Sequence, residues 1–147
     1  MFSIFTVIAL YSFTVKFTTP IYFETPKNWE KPVYDFSKNP LTEEGFQLGK
    51  KLFYDPILSR DRIGARNALT LQNLAWSKII MYDGAVNNLE VQPLAPITNH
   101  DEMDENFENV VKKLNNSPEY KTLFYNAFGT NTITGQLTLK AITQFVV

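Results

Sequence analysis

The chain contains no cysteine and only one histidine, and these absences exclude several kinds of site. Without cysteine there is no disulfide, no thiolate site for zinc or an iron–sulfur cluster, no thiol nucleophile and no C-x-x-C-H segment for haem attachment. The lone His100 cannot form a two-histidine metal site within one chain. The compartment stays open, because exported proteins also occur without disulfides.

The chain also lacks an excess of either charge. Fourteen Lys and Arg residues are balanced by fifteen Asp and Glu residues, for a formal net charge of −1. Basic residues pair only at Lys50-Lys51 and Lys112-Lys113, so there is no basic stripe to follow a phosphate backbone. We predict no nucleic-acid partner. A length of 147 residues with 44% hydrophobic and 14% aromatic residues predicts one folded domain.

The N-terminal segment, residues 1–18, is apolar. Met1 to Val15 carries no charge and eleven of its fifteen residues are apolar, before Lys16 ends the run. The run is shorter than the roughly 18–20 apolar residues that span a bilayer and nearer to the apolar region of a signal peptide. No basic residue precedes it and no A-x-A-like cleavage site follows it. We predict an export signal or envelope anchor, with membrane association through this segment; the alternative is a buried β-rich or aromatic segment.

Residues 19–39 are rich in proline and aromatic residues. Proline at this density blocks a regular helix and disfavours a central strand, so we predict an extended arm lying on a surface. Residues 40–147 then form the body of the protein. Apolar spacing and capping residues predict an all-α body with long loops and helices over 42–53, 101–114, 117–128 and 134–147. Thr42 and Ser117 are the expected N-caps, and Thr134 opens the last helix. A helical or semi-helical region is predicted over 70–82, and a short helix over 87–92. The last helix has no C-cap, so the domain is expected to be incomplete.

Two blocks of sequence are more specific than these periodicities. The first runs from Asn39 to Asp61 and reads NPLTEEGFQLGKKLFYDPILSRD. The second runs from Gly64 to Met103 and contains Arg66-Asn67, Asn73-Leu-Ala-Trp76, Asp83-Gly84, Leu89-Glu-Val-Gln92, Pro96 and Glu102-Met103. In this order they resemble the N-terminal haem domain of the bacterial di-haem cytochrome c peroxidases, which include the MauG-like proteins. The resemblance covers residues 40–147 and implies a cytochrome c-like helical domain.

The resemblance implies a function and a location. Members of this family reduce hydrogen peroxide to water in the bacterial periplasm, with electrons from a cytochrome c-type donor. They use two covalently attached haem c groups, one in each of two helical domains. For this chain we therefore expect the bacterial periplasm or cell envelope, with a cytochrome c-type donor as the implied partner.

The chain departs from the family pattern at the haem-attachment segment. Asp61 leads almost directly to Arg66, where the family has a C-x-x-C-H motif and a following loop. Both thioether anchors and the proximal histidine are missing, and a second haem domain is not expected within this chain. We therefore predict no haem in this chain and no peroxidase activity by the chain alone. The alternatives are a haem-free helical interaction or scaffold module of the envelope, and non-covalent haem binding through His100.

The resemblance also supplies candidate site residues. Glu90 and Gln92 correspond to the family's Leu-Glu-Glu-Gln-like run and are the catalytic candidates, with Val91 at the second acidic position. A carboxyl group there would move a proton during peroxide cleavage; a solvent-exposed Glu90 at a helix end is the alternative. Trp76 and Tyr82 are haem-pocket candidates, with core packing as the alternative. His100 is a weak metal-ligand candidate expected on the surface, Met103 is expected to pack, and Ala85 replaces the arginine that usually follows Asp83-Gly84.

Overall fold

The computed structural model of the chain describes residues 18–60, 72–77 and 88–147. Within these ranges there are five α-helices and no β-strand, so the all-α prediction is confirmed for them. The helices are α1 (Glu43–Tyr54), α2 (Leu94–Thr98), α3 (Phe107–Asn116), α4 (Pro118–Phe128) and α5 (Gly135–Val146), and two 3-10 turns lie at Pro56–Leu58 and Leu74–Trp76.

Several predictions fall outside the described ranges. These are the apolar segment up to residue 17, the junction at 61–71 where the haem-attachment segment is missing, and residues 78–87, which include Tyr82, Asp83-Gly84 and Ala85. In the ranges that are described, no helix is both long enough and apolar enough to cross a bilayer.

Three helices begin at the predicted capping residues. The side chain of Thr42 accepts a hydrogen bond from the Gly45 N–H at the start of α1, at 3.1 Å. Ser117 and Thr134 cap α4 and α5 in the same way. Each cap satisfies a backbone donor that has no partner within its own helix. The boundaries of these helices follow from local chemistry.

Two helix predictions are wrong. The helix predicted from Asp101 begins instead at Phe107, with Asn106 as its cap, because Asp104 has a left-handed backbone (φ 44°) that interrupts a helix. Of the helix predicted over 87–92, residues 89–92 form turns, and the helix of this region is Leu94–Thr98. That helix contains Pro96, which is tolerated because a proline in the first turn removes no intrahelical hydrogen bond. Of the region 70–82, the described part contains only the 3-10 turn Leu74–Trp76.

The body is built on the crossing of α1 and α5. A Cβ atom added at Gly49 would lie only 1.9 Å from the backbone oxygen of Ala141, so the two helix backbones approach as closely as glycine permits. Beside this contact α3 and α4 complete one apolar core, whose fully buried members include Leu48, Leu52, Val110, Leu114 and Phe124.

The arm before α1 is held to the body by backbone hydrogen bonds. Residues 18–42 form no helix, and a single antiparallel bridge joins Pro20 to Thr42. The Ile21 N–H donates to the Leu41 oxygen at 2.9 Å, and the Glu43 N–H donates to the Thr19 oxygen at 2.8 Å. The arm therefore has a defined position against the start of α1.

A buried ion pair predicts how stability depends on pH. Glu105 is buried and accepts from the Lys113 ammonium, and this hydrogen bond is the main cause that holds the pKa of Glu105 below its ordinary 4.5. A lowered folded-state pKa adds stability that is present above pH 4.5 and is lost as the pH falls through the folded value. The unfolding free energy should therefore fall below about pH 4.5, and fall less steeply in Glu105→Gln.

Urea unfolding at several pH values measures this effect. At pH 7 we expect Lys113→Met to lose about 1–2 kcal/mol, since it leaves a buried carboxylate without its cation while the lysine is itself partly exposed. The surface pair Lys51–Glu119, with a nitrogen–oxygen distance of 3.0 Å, is the control, and Glu119→Gln should change stability by less than about 1 kcal/mol. Equal pH slopes in wild type and Glu105→Gln would contradict the prediction.

Candidate functional site

Glu90 lies in a turn that leads into α2. The turn is anchored by Leu89, which is buried in the core, and the Asn88 side chain accepts from the Glu90 N–H at 2.9 Å. Val91, at the family's second acidic position, is 43% exposed. Gln92 is half-buried in the same turn, and its N–H donates to the Asn88 oxygen at 3.2 Å. The structure thus brings both catalytic candidates into one turn, with the Glu90 carboxyl turned towards the protein.

A hydrogen-bond chain connects Glu90 to the arm and to α5. The Tyr34 hydroxyl donates to Glu90 Oε1 at 3.0 Å and accepts from Asn39 Nδ2 at 3.1 Å. Asn39 Oδ1 in turn accepts from Gln144 Nε2 at 2.9 Å. Burial is the main cause that raises the pKa of Tyr34 above its ordinary value, and the nearby Glu90 carboxylate adds to the rise. The phenol therefore keeps its proton at neutral pH and acts as a donor.

Trp76 lies in an aromatic cluster with the arm. Its ring centroid is 5.0 Å from that of Trp29 and 5.4 Å from that of Phe23, and its indole N–H donates to the Glu30 oxygen at 2.7 Å. The preceding residue, Ala75, accepts at its backbone oxygen from the N–H groups of residues 33 and 34, at 2.9 and 3.0 Å. Trp76 is thus linked through the arm to the tyrosine that contacts Glu90. The second haem-pocket candidate, Tyr82, lies outside the described ranges.

His100 lies on the surface, away from the Glu90 turn. Its side chain is 88% exposed, and its Nδ1 lies 2.9 Å from Asp104 Oδ1. The other carboxylate oxygen, Asp104 Oδ2, accepts from Arg60 at 2.8 Å. The hydrogen bond to Asp104 is the main cause that raises the pKa of His100, and the same bond lowers the pKa of Asp104. Met103 packs against the apolar core, and its backbone oxygen accepts from the Arg60 N–H at 3.0 Å. The structure does not bring His100 together with Glu90 or Trp76 in a shared contact.

The donors for a covalently attached haem are missing. Haem c requires cysteine thiols for its thioether bonds, and the chain contains none. In residues 18–60, 72–77 and 88–147, no group of three or more His, Asp or Glu side chains is arranged to hold a metal ion. Two of the open clefts that the described residues form, of about 410 and 440 Å³, are lined by none of Trp76, Glu90, Gln92 and His100. The residues present do not fit haem c.

Sequence reasoning did not find Tyr34 and Asn39 as site residues. Tyr34 precedes Glu90 by 56 positions, and no motif or helical periodicity relates two residues at that separation. The only local signal was the arm's richness in aromatic residues, which predicts contact with a surface without saying which side chain is the partner. Folding of the arm onto the body creates this contact.

Comparisons with known proteins agree with the resemblance read from the two sequence blocks. A family model described as di-haem cytochrome c peroxidase matches residues 60–147. The methylamine utilization protein MauG of Methylorubrum extorquens is 37% identical over 118 residues, covering 62% of this chain and 33% of MauG. The cytochrome c551 peroxidase of Pseudomonas aeruginosa is 29% identical over 123 residues, covering 65% of this chain and 36% of that protein.

A structural comparison extends the agreement to the fold. The crystal structure of a MauG-like protein associated with microbial copper homeostasis matches with a TM-score of 0.72 and 25% sequence identity, covering 86% of this chain and 46% of that chain. The predicted cytochrome c-like helical class is thereby confirmed. The chain spans about a third of the length of its curated relatives. Because the family model covers more than half of its residues, the chain belongs to the di-haem cytochrome c peroxidase family.

Proposed function

We propose that this chain is a haem-free helical member of the family that does not reduce hydrogen peroxide through its own residues. The observation that carries the proposal is the absence of cysteine from the whole sequence. Cysteine thiols form the covalent bonds of a c-type haem, and no other side chain replaces them in that role. Peroxide reduction depends on the electronic properties of the cofactor, which side chains position and tune but do not supply.

His100 is a poor substitute for the missing proximal ligand. An imidazole binds a metal in its neutral form, whereas Asp104 favours the protonated form of this residue and raises its pKa. The side chain is also almost fully exposed, so it lacks the apolar surroundings that shield a haem iron from water. Non-covalent haem binding through His100 is therefore the less favoured reading.

The names of the relatives suggest the larger context in which this chain acts. A cytochrome c551 peroxidase takes electrons from a cytochrome, so a cytochrome c-type donor is the partner that the family implies. We propose a bacterial periplasmic or cell-envelope location on the same basis, with the apolar segment 1–18 as the means of export or membrane association. The division into this segment, an arm at 19–39 and a peroxidase-like body at 40–147 is part of the proposal.

An interaction or scaffold role is the second candidate. The observation that favours it is the set of exposed apolar side chains on the arm: Tyr22 is 83% exposed, and Trp29 and Val33 are also exposed. Exposed apolar side chains grouped on one segment are typical of contact surfaces. This role is compatible with the haem-free state, since it needs only the folded helical body.

Absorption spectroscopy tests the haem-free state. We expect the full chain, purified from cells with an active c-type haem maturation system and then incubated with excess haem, to show no Soret band after desalting. A pyridine haemochrome assay should likewise detect no stoichiometric haem, and hydrogen peroxide should not oxidise a reduced cytochrome c faster than in buffer.

His100→Ala is the control for non-covalent binding. A stoichiometric Soret band that is lost in His100→Ala would overturn the proposal in favour of haem binding through His100. A stoichiometric band that persists in this variant would also overturn it and would indicate a haem site elsewhere in the chain. Circular dichroism of both proteins ensures that a missing band is not the result of unfolding.

A further inference from the structure

We propose that the arm docks on the surface of a lipid bilayer through the outward side chains of Tyr22, Trp29 and Val33. The inference rests on the proposed membrane association through residues 1–18, and it adds a second contact with the same membrane. It follows from which arm side chains face outward, how the backbone behind them is held, and how short the chain is between the arm and the apolar segment.

The arm turns apolar side chains outward at positions where polar ones are usual. Tyr22 is almost fully exposed, while the residues on both sides of it are half-buried. Val33 is about half exposed and also lies between two half-buried residues, and Trp29 is about half exposed. Successive side chains of an extended chain point to opposite sides. The inner side chains therefore attach the arm to the body, and the outer apolar ones stay available for another surface.

The backbone behind these side chains already has hydrogen-bond partners. The Trp29 N–H donates to the Pro26 oxygen at 3.1 Å and closes a turn in which Asn28 has a left-handed backbone (φ 70°). The Val33 N–H donates to the Ala75 oxygen at 2.9 Å. An unpaired N–H is costly to bring among acyl chains. The arm can therefore insert the side chains of Trp29 and Val33 without burying these two donors unpaired.

The exposed charges of the arm balance one another. The arm carries three lysines and three acids, namely Lys27, Lys31, Lys38, Glu24, Glu30 and Asp35. Lysine stems lie along apolar surface while their ammonium groups reach lipid headgroups. Because the charges balance, we expect apolar contact to hold the arm rather than attraction to anionic lipids. Docking should therefore depend only slightly on salt.

The area of this apolar surface favours a bilayer over a protein partner. Three partly exposed side chains of these types offer roughly 400 Å², whereas a stable protein interface buries about 800 Å² on each partner. A bilayer requires no matching shape, and tryptophan and tyrosine are enriched where a membrane meets water. The residue types and the area thus both fit a lipid surface.

The apolar segment is close to the arm along the chain. Its uncharged run ends at Val15, seven residues before Tyr22, and seven residues span at most about 25 Å. A run held in a membrane would therefore keep the start of the arm near that membrane. The second contact then forms within one molecule and needs little affinity of its own.

Spin labelling tests the docking on the full chain, which contains no cysteine of its own. Val33→Cys carries a nitroxide on the arm, and Tyr54→Cys, at an exposed residue of α1, carries one on the body. The chain is bound to vesicles of phosphatidylethanolamine and phosphatidylglycerol. We expect the arm label then to collide more with oxygen and less with a water-soluble nickel chelate, and the body label to stay as it is in buffer.

Substitutions on the arm test which side chains dock. Tyr22→Ser should return the arm label towards its values in water and raise the vesicle concentration for half-maximal binding about tenfold, since less apolar area leaves water. Trp29→Ser is the second variant and should act in the same direction. Tyr125→Ser, at an exposed tyrosine of α4, is the matched control and should change neither quantity. Circular dichroism establishes that each variant is folded.

The outcomes separate this docking from the association through residues 1–18. If the chain binds vesicles while the arm label stays as accessible to the nickel chelate as in buffer, the docking is overturned and the association stands. A chain that binds no vesicles overturns both. Docking is also overturned if neither arm substitution moves the arm label. An arm label that is immobilised by raising the protein concentration, without vesicles, would indicate a second copy on the arm and would equally overturn the proposal.

Discussion

Replacing Gly49 with alanine is expected to abolish the cooperative urea-unfolding transition of the protein at room temperature. If a transition remains, its urea midpoint should be lower than after the addition of one methyl group at any other position in the body. The new Cβ would lie 1.9 Å from the Ala141 oxygen and 2.8 Å from its carbonyl carbon. Both are backbone atoms of α5 and cannot rotate aside as a side chain does. Helices α1 and α5 must therefore separate, which opens the core beside Leu48 and Ile142.

The expected magnitude is large relative to the stability of a small domain. Overpacking by one methyl group usually costs about 1–3 kcal/mol, and a contact with backbone lies at or above the upper end of that range. A single domain has only about 5–15 kcal/mol of stability in total. Thermal and urea unfolding followed by circular dichroism measure the loss.

Gly129→Ala is the matched control. Gly129 has a left-handed backbone (φ 73°) and ends α4, and a Cβ there meets no atom within 4 Å. Its replacement adds backbone strain of about 1–2 kcal/mol without a clash. If Gly49→Ala unfolds at the same urea concentration as Gly129→Ala, the close approach of α1 and α5 does not limit the size of the residue at position 49.

Phe124→Ala is expected to lower the unfolding free energy by about 3–5 kcal/mol. Phe124 is the largest fully buried side chain in the described ranges, and it lies on α4, which packs against both α1 and α3. Its removal loses apolar burial and leaves a cavity that the surrounding helices can fill only in part. Urea unfolding measures the change.

The neighbouring residue offers a control on the same helix. Tyr125 is 41% exposed, so Tyr125→Ala removes an aromatic ring with much less buried area. We expect this change to cost far less than Phe124→Ala, and Phe124→Leu, which keeps most of the apolar volume, to fall between the two. Similar losses in Phe124→Ala and Tyr125→Ala would mean that α4 does not form the core as described.

Helix starts were predictable where their cause is local. The caps at Thr42, Ser117 and Thr134 each depend on a side chain and the backbone N–H three residues further on, and all three helix starts were identified from the sequence. The start of α3 was predicted too early because residues 101–106 have the acids and spacing of a first helical turn. In the structure Glu105 instead pairs with Lys113, and the left-handed Asp104 breaks the turn. Contacts made in the folded structure thus override the local preference for a helical turn at residues 101–106. The periodicity of the sequence does not show which of the two prevails.

The residues of the candidate site also differ in whether the sequence or only the tertiary structure reveals them. Glu90 and Gln92 were found because they stand in a short run shared with a known family. Their link to Tyr34 was not found, because a hydroxyl and a carboxyl separated by 56 positions meet only after the arm folds back. The aromatic composition of the arm indicated contact with the body and could not identify the partner.

The amino-acid sequence alone decides that the residues of this chain form no thioether bond to a haem, because that bond requires a cysteine and the composition contains none. It also decides the helical class and the caps, since hydrophobic period and capping act within a few residues. Only the tertiary structure decides how closely α1 and α5 approach and which donor holds Glu90. These depend on atoms about 90 and 56 positions apart, and their hydrogen bonds and steric contacts exist only once the core has closed.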